Sequence, residues 1–301
     1  TTDTYIEKES EVNNEIEALR LSATTNLLTR KDVIVVASVS CIYNIGSPLE
    51  YGKFILEIKP GMVISQKSVV LRLADLQYTR NDYAFQRGTF RIRGGTIDLF
   101  PAYTDSGIRI EIDNNKLKSL KEFDPLTGKT LQTLNVSIIY PAKHYMTDPM
   151  TYKDVFPQIK HDLEIREKEL KKLGKLIEAQ RIRQKVTYDL EMIQELGFVN
   201  GIENYSRYFD GRKPGDPPYS LLDYMKACSR DWLCFVDESH MSLPQIRGMY
   251  NGDRARKETL IDYGFRLPSA LDNRPLRFEE FMQRVNQMVY VSATPNEYEV
   301  S

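Results

Sequence analysis

The chain has 301 residues and a net charge of −1 at pH 7, with 41% apolar and 28% charged residues. This length allows two domains with a sizeable core, and the composition is that of an ordinary globular protein rather than a disordered one. A near-neutral chain is not a polycation, so any contact with nucleic acid has to come from local basic patches.

Signals for cellular compartment are few. Cys41, Cys228 and Cys234 lie in or beside apolar segments, which favours a reducing, cytoplasmic setting over a disulfide framework or a metal cage. No run is apolar enough to span a membrane, and no secretory or transit signal is visible. Because the chain starts at Thr1 without an initiator methionine, we expect it to be a piece of a longer protein.

The chain begins with an α/β pattern, and residues 1–10, which are polar with Tyr5 and Ile6 interleaved, predict a strand. Residues 11–30 have helical spacing of apolar side chains, with glutamates early and arginines late, which suits the helix dipole. The run from Val33 to Val39 is apolar and rich in β-branched residues. It predicts a strand that is buried on both faces, as in a parallel sheet.

From about residue 58 the pattern changes. A helix is expected at residues 68–79, followed by two alternating strands around Gly94-Gly95, which is a hairpin signal. Ile108–Ile112 and Lys116–Phe123 continue the antiparallel pattern. We interpret residues 58–145 as a small α+β insertion.

The second half of the chain is first helical and then α/β. Residues 154–196 carry amphipathic helical spacing, and Gly174 marks a kink or a break between two helices. Residues 203–220 are predicted to form an ordered loop, and a strand is predicted at Trp232–Val236. The α/β core is therefore expected in two blocks, roughly residues 11–57 and 221–301.

The strongest functional signal is the string from Cys234 to His240, an apolar strand that runs into Asp237 and Glu238. This is the pattern of a Walker B strand, where nucleotide-hydrolysing enzymes hold Mg²⁺ and position the attacking water. A second strand, Val289–Val291, ends in Ser292-Ala293-Thr294. A structural alternative for Asp237-Glu238 is a helix N-cap with an acidic first turn, which carries no chemistry.

The phosphate-binding half of such a site is not visible. A P-loop needs glycine five residues before a Gly-Lys-Ser/Thr string, but Phe123 stands at that position before Gly128-Lys129-Thr130. Gly52-Lys53 also fails, because the spacing from Gly46 is wrong and no hydroxyl follows. We predict that both glycine-lysine pairs lie in turns.

Arginines concentrate in the insertion. Arg91 and Arg93 share one face of a strand, while Phe90 and Ile92 point to the other, which we expect to be the core. Such a face is either solvated or a docking surface for an acidic partner, protein or DNA, and arginine favours carboxylate or phosphate recognition.

Other basic and aromatic residues are candidates for nucleic-acid contact. Tyr5 could stack on a base with Lys8 touching a phosphate, although a single aromatic residue in a strand is more often packing. The following arginines are expected in loops beside the strand-end motifs, where DNA contact and salt bridging are both open: Arg254, Arg256, Arg266 and Arg274. The histidines, His144, His161 and His240, are too dispersed for a metal site.

Several long strings together resemble the UvrB family of bacterial nucleotide excision repair. They are Val33–Gly46, Tyr78–Asp82, Gly88–Gly94, Gly201–Arg207, Val236–His240, Gly252–Lys257 and Leu271–Leu276. The resemblance covers essentially the whole chain.

The resemblance implies an α/β fold with part of a superfamily-2 helicase-like, RecA-type domain. It implies that residues 1–57 hold the end of a DNA-clamping β-hairpin and part of the first helicase-like domain. Residues 58–145 then correspond to an inserted domain that docks the damage-sensing subunit UvrA. Residues 146–220 correspond to a helical connector, and residues 221–301 to the remainder of the helicase-like domain.

The resemblance also implies roles for single residues. Asp237 and Glu238 resemble the carboxylates that hold Mg²⁺ through water and activate the attacking water, so ATP and Mg²⁺ are the expected cofactors of the longer protein. His240, Ser292 and Thr294 belong to the motifs expected to take part in hydrolysis or to couple it to movement. The residues expected to bind UvrA are Arg80, Arg91, Arg93, Arg109 and Glu111, and those expected to bind DNA are Tyr5, Lys8, Arg254 and Arg256.

The chain departs from the family pattern in informative places. The P-loop, the first strand of the hairpin and the second motor domain with its arginine finger are missing, so we expect these 301 residues alone not to hydrolyse ATP. Asn44 stands where the family usually has glycine. The expected partners of the longer protein are UvrA, UvrC and damaged DNA. Two alternatives stay open: the UvrB-like module of a transcription-repair coupling factor, and a non-enzymatic module that docks UvrA.

Overall fold

The computed structural model describes residues 14–145, 149–296 and 299 as an α/β structure with three parts. Residues at the two ends of this range build one α/β unit, because α1 near the start packs against α7 near the end. Between them lie a β-sheet insertion and a pair of long helices. The predicted α/β class is confirmed, while the strand expected at residues 1–10 lies outside the described residues.

The helices and strands are numbered in chain order. They are α1 (Asn14–Thr29), α2 (Pro48–Lys53), β1 (Leu56–Ile58), α3 (Gln66–Asp75), β2 (Thr79–Arg80), β3 (Thr89–Arg93), β4 (Thr96–Phe100), β5 (Gly107–Asp113), β6 (Lys116–Phe123), β7 (Thr130–Thr133), β8 (Ser137–Ile139), α4 (Tyr152–Lys172), α5 (Leu176–Leu196), α6 (Ser206–Phe209), α7 (Leu221–Cys228), β9 (Leu233–Asp237), α8 (Ser239–Asp262), α9 (Phe278–Arg284) and β10 (Gln287–Val291). Short 3₁₀ helices occupy Val39–Ile42, Pro149–Thr151, Ile202–Tyr205 and Pro268–Asp272.

The strand predicted at Val33–Val39 is wrong. Residues 33–38 form no strand pairing, and Val39 begins a 3₁₀ helix. Ile34 and Val36 are 93% and 96% exposed, whereas Val33 and Val35 pack against a buried cluster. A strand buried on both faces needs a strand on each side to satisfy its backbone, and within the described residues none lies beside this segment.

The insertion is built on a six-stranded sheet in the order β2-β3-β4-β5-β6-β7. All neighbours are antiparallel except β2 and β3. The predicted hairpin is confirmed, since Arg93 pairs with Thr96 across Gly94, whose φ of 59° favours glycine. One face of the sheet packs on α3 around Leu73, Phe90 and Ile110. The opposite face is therefore free to carry polar side chains.

The two glycine-lysine pairs rejected as P-loops differ in structure. Gly128-Lys129 lies in the turn between β6 and β7, as predicted, where the Asp124 amide donates to the Lys129 carbonyl at 2.9 Å. Gly52-Lys53 is instead the end of α2, so the turn prediction is wrong there. Neither pair lies in a loop between a strand and a helix, as a P-loop does.

The helical part is an antiparallel pair, α4 and α5. Gly174 breaks the two helices as predicted and has a φ of 76°. Ile159, Ile182 and Val186 are fully buried between them. Gly264, just after α8, approaches α5 so closely that a Cβ there would lie 2.4 Å from the Glu178 carbonyl oxygen. This contact joins the helical part to the α/β unit.

Candidate functional site

The strand-end motifs meet at one edge of a short parallel sheet. β9 and β10 pair in register, with Val291 opposite Asp237. Because parallel strands carry their carboxyl ends to the same edge, Asp237 and Glu238 lie beside Ser292 and Thr294, which follow β10. The structure therefore brings the two strand-end motifs together at one edge.

Glu238 is held in an unusual backbone conformation. Its φ of 45° and ψ of 50° lie in the left-handed region, which costs a side-chain-bearing residue free energy. The residue is the N-cap of α8 but makes no capping bond with its side chain, which is 63% exposed. Glu238 therefore occupies the N-cap position that the structural alternative expects, but its exposed carboxylate does not cap α8, and the first turn of α8 holds no acidic residue.

A hydrogen bond joins the two motifs. His240 Nδ1 lies 2.7 Å from Ser292 Oγ and 3.4 Å from a Glu238 carboxylate oxygen. The Ser239 hydroxyl next to it is buried and donates to the Val291 carbonyl at 3.4 Å. Thr294 is exposed, and its amide donates to Ser292 Oγ at 3.1 Å. His240 thus connects the end of β9 to the end of β10.

The residues fit a Mg²⁺ ion held through water rather than one caged by protein. Asp237 is exposed and accepts a hydrogen bond from the Glu238 amide at 3.0 Å. Among the described residues, no group of three or more His, Cys, Asp or Glu side chains could hold a metal directly. Mg²⁺ keeps most of its waters and is commonly bound by one or two carboxylates plus substrate phosphates. The donor set at this edge matches that pattern.

The insertion face has an organising carboxylate that sequence reasoning missed. Asp98, with 5% side-chain exposure, accepts from Arg109 Nε at 2.7 Å and from Arg91 at 2.9 Å. Burial alone would raise the pKa of Asp98, but the hydrogen bonds from Arg109 and Arg91 lower it below the usual range. The sequence could have predicted this ion-pair cluster, because the hairpin register places Arg91, Asp98 and Arg109 side by side on neighbouring strands.

Aromatic rings complete this arginine face. The guanidinium of Arg91 lies 4.3 Å from the ring centre of Phe85, and that of Arg109 lies 4.6 Å from Phe123. The two rings stack on each other with centres 6.0 Å apart. Cations between a buried carboxylate and aromatic rings are held in fixed orientations. The face is therefore preorganised rather than a set of mobile solvated side chains.

The remaining predicted docking residues lie around this centre. Arg93 is exposed at the end of β3. Arg80 is exposed and pairs with Asp82 at 2.9 Å. Glu111 accepts from Lys121 at 2.8 Å and from Ser119 at 2.6 Å, and these contacts lower its pKa. Arg93 and Arg80 are thus predicted docking residues that are exposed to solvent.

The residues predicted to contact DNA are only partly placed. Tyr5 and Lys8 lie outside the described residues. Arg254 and Arg256 were predicted in a loop, and this is wrong: both are exposed on α8, which continues to Asp262. The segment looked polar and irregular because α8 has few buried positions, so its helical period is weak in the sequence.

The other two arginines lie in loops, as predicted, where DNA contact and salt bridging were both open. Arg274 is buried and bonds both oxygens of Glu280, at 2.6 and 2.8 Å, so it stabilises the fold and is not free for DNA. Arg266 is half-buried, and one of its guanidinium nitrogens donates to the Phe265 carbonyl at 2.9 Å. Asn44, at the family's glycine position, is also buried; its amide nitrogen donates to Ser206 Oγ at 2.9 Å.

Comparison with known proteins agrees with this architecture. Residues 56–145 match the family model of the UvrB interaction domain, and residues 150–211 match that of the UvrB third helical domain. UvrABC system protein B of Caldanaerobacter subterraneus is 53% identical over 300 residues, which is 99% of this chain and 45% of that protein. The protein of the same name from Proteus mirabilis is 54% identical over 301 residues, all of this chain and 44% of the relative. The chain belongs to the UvrB family.

The UvrB match places the arginine face inside a defined module. The range matched by the interaction-domain model starts at β1 and contains the whole six-stranded sheet. The third-helical-domain match covers α4, α5 and α6. The chain spans slightly less than half the length of these UvrB relatives. No helix in the described part of the chain is long and apolar enough to cross a membrane.

Proposed function

We propose that this chain is the part of a nucleotide-excision-repair protein that docks UvrA and carries the metal- and water-positioning half of an ATP site. The observation that carries the docking role is the Asp98-centred arginine face, located in the segment that matches the UvrB interaction domain. A partner with carboxylates aligned to Arg91 and Arg109 would gain charge-assisted hydrogen bonds from side chains that are already ordered, and the exposed Arg93 and Arg80 lie around them.

In the ATP site, Asp237 would hold Mg²⁺ through water and Glu238 would orient the attacking water. Bound Mg²⁺–ATP would supply the phosphoryl group and part of the charge neutralisation. Support comes from the left-handed turn that turns Glu238 outward and from the His240–Ser292 bond between the strand ends. In this assignment Ser292 and Thr294 couple ATP hydrolysis at that strand edge to movement of the longer protein.

DNA is the substrate of the longer protein in this proposal. Arg254 and Arg256 on α8 are the described basic side chains assigned to it, and Tyr5 and Lys8 are assigned by resemblance. UvrC is the later partner that receives the verified DNA. Identity of 53% over 99% of the chain to a protein named UvrABC system protein B favours this assignment over a coupling-factor module.

A binding titration tests the docking role on the chain as it is. Purified UvrA is titrated against the 301-residue chain and against Asp98→Asn. Loss of the central carboxylate frees Arg91 and Arg109 from their fixed orientation, and we expect binding to weaken by about tenfold. Equal binding of UvrA by a folded Asp98→Asn chain would argue against this docking face.

A chimera separates the ATPase role from a docking module with an inert strand edge. This chain replaces its matched 300 residues in the Caldanaerobacter relative. We expect DNA-stimulated ATP hydrolysis that Glu238→Gln lowers by about 10²-fold or more, as for loss of a general base. A folded chimera whose hydrolysis is unaffected by Glu238→Gln would favour the inert alternative.

A further inference from the structure

A basic cleft lies between α8 and the segment that leads into α9. Tyr250 and Arg254 line it from α8, and Arg274 and Arg277 line it from the other side. Gly215, Asp253, Leu271 and Asp272 complete the wall, which encloses about 200 Å³. This volume is below the roughly 300–1,000 Å³ of sites for whole small molecules, so the cleft suits a single compact group.

Tyr250 is the centre of this cleft. Its hydroxyl accepts a hydrogen bond from Arg277 at 3.0 Å. The guanidinium carbons of Arg277 and Arg274 lie 4.8 and 5.3 Å from the ring centre. Burial would raise the pKa of Tyr250, but hydrogen bonds from Arg277 and Arg254 outweigh it and lower the pKa. The lowered pKa of Tyr250 indicates that the electrostatic potential around its hydroxyl is positive.

The acidic groups near the cleft are already engaged. Asp253 pairs with Lys257 at 2.8 Å, and Asp272 pairs with Arg207 at 2.9 Å. Glu280 neutralises the buried Arg274.

The cations that remain toward solvent are Arg254 and Arg277. Arg254 forms an exposed ion pair with Glu258 at 2.7 Å, and an ion pair of this kind is weak in water. Arg277 bonds the neutral Tyr250 hydroxyl. The cleft therefore presents two exposed guanidinium groups on one tyrosine, with no free carboxylate among its described lining residues.

We propose that Arg254 and Arg277, aligned by the Tyr250 hydroxyl, clamp one backbone phosphate of a single DNA strand. Guanidinium groups bind phosphate oxygens through paired, charge-assisted hydrogen bonds, and the size of the cleft fits that group. Tyr250 is a positioning residue here, and Arg274 supports the floor. The inference rests on the proposed function in DNA repair and adds Tyr250 and Arg277 to the basic residues assigned to DNA.

The test uses the 301-residue chain and a fluorescein-labelled oligo(dT)20, with binding followed by anisotropy at several salt concentrations. Each phosphate contact to a single strand contributes about 0.7 to the slope of log K against log salt. Because both arginines contact the same phosphate, we expect the Arg254→Gln/Arg277→Gln double variant to lower the slope by about that amount and each single variant to lower it by part of it, with binding to oligo(dT) and mixed sequences weakened alike. Arg230→Gln, at an exposed arginine before β9, is the matched control and should leave the slope unchanged.

Tyr250→Phe tests the positioning role because it keeps the ring and removes the hydroxyl. Binding should weaken, and adding Arg277→Gln to this variant should cost less than Arg277→Gln alone, since the two groups act as a unit. A wild-type chain that binds oligo(dT)20 while the Arg254→Gln/Arg277→Gln variant keeps its full slope would overturn the clamp and leave the repair function standing. A wild-type chain that binds UvrA but no oligo(dT)20 would likewise overturn the clamp.

Discussion

The imidazole of His240 lies 2.7 Å from the hydroxyl of Ser292, across the carboxyl edge of β9 and β10. The bond joins two motifs 52 residues apart. We expect a double-mutant cycle of His240→Ala and Ser292→Ala to give a coupling free energy of about 0.5–1.5 kcal/mol in urea unfolding. His240→Ala combined with Ser65→Ala, in the distant insertion, should be additive. Additivity of both pairs would mean that the strand ends are independent.

Glu238 carries backbone strain that glycine would relieve. Its φ of 45° costs a side-chain-bearing residue roughly 1 kcal/mol, whereas glycine adopts this region freely. We expect Glu238→Gly to be more stable than Glu238→Gln by up to about 1 kcal/mol, although both remove the carboxylate. Thermal unfolding of the two variants checks this. A less stable glycine variant would show that the turn is not strained.

Asn44 should stabilise the contact between the α/β unit and the helical part. Its amide nitrogen donates to Ser206 Oγ and to the Asn273 side chain, and its oxygen accepts from the Gly46 amide at 3.1 Å. The φ angle of Asn44 is not positive, so its backbone conformation does not require glycine. We expect Asn44→Ala to lower the free energy of unfolding by about 1–3 kcal/mol, with Asn44→Gly slightly lower still. Urea unfolding that is unchanged in both variants would contradict this role.

Asp210 gives a pH dependence with a definite sign. Burial raises its pKa from 3.8 to about 6, although Arg212 opposes the shift. A carboxyl whose pKa is higher in the folded protein stabilises the fold most below its unfolded pKa, and this stabilisation is lost as the pH rises through about 4 to 6. The wild type minus Asp210→Asn difference in unfolding free energy should therefore fall between pH 4 and pH 6. A flat difference across that window would mean that Arg212 fully compensates the burial.

Much of the fold follows from local sequence patterns, and the exceptions have physical causes. The hairpin around Gly94-Gly95 and the helix break at Gly174 were predictable because periodicity and turn chemistry agree there. The strands β9 and β10 were predictable as apolar runs, whereas their pairing was not predicted. The strand predicted at Val33–Val39 did not form, because this apolar segment has no flanking strands among the described residues.

The candidate site was predictable as residue types but not as contacts. The strand-end carboxylates were identified from their motif, whereas Asp98 was overlooked because one buried acid between two arginines is visible only from strand register. For Arg274 the sequence left DNA contact and salt bridging both open, because its partner Glu280 lies in the next element and the contact shows only in the structure. Sequence thus indicates which chemistry is present, and packing decides which charges are free to act.

Arg93 provides the most direct test of the central claim, that the insertion face docks UvrA. Reversing Arg91 would place a carboxylate against the buried Asp98 and disturb the fold, whereas Arg93 is exposed. The measurement is the affinity of purified UvrA for the 301-residue chain, for Arg93→Glu and for Lys59→Glu, an exposed control in the same insertion. We predict binding at least about tenfold weaker for Arg93→Glu, with Lys59→Glu close to wild type. Equal UvrA affinity in all three proteins would contradict the account.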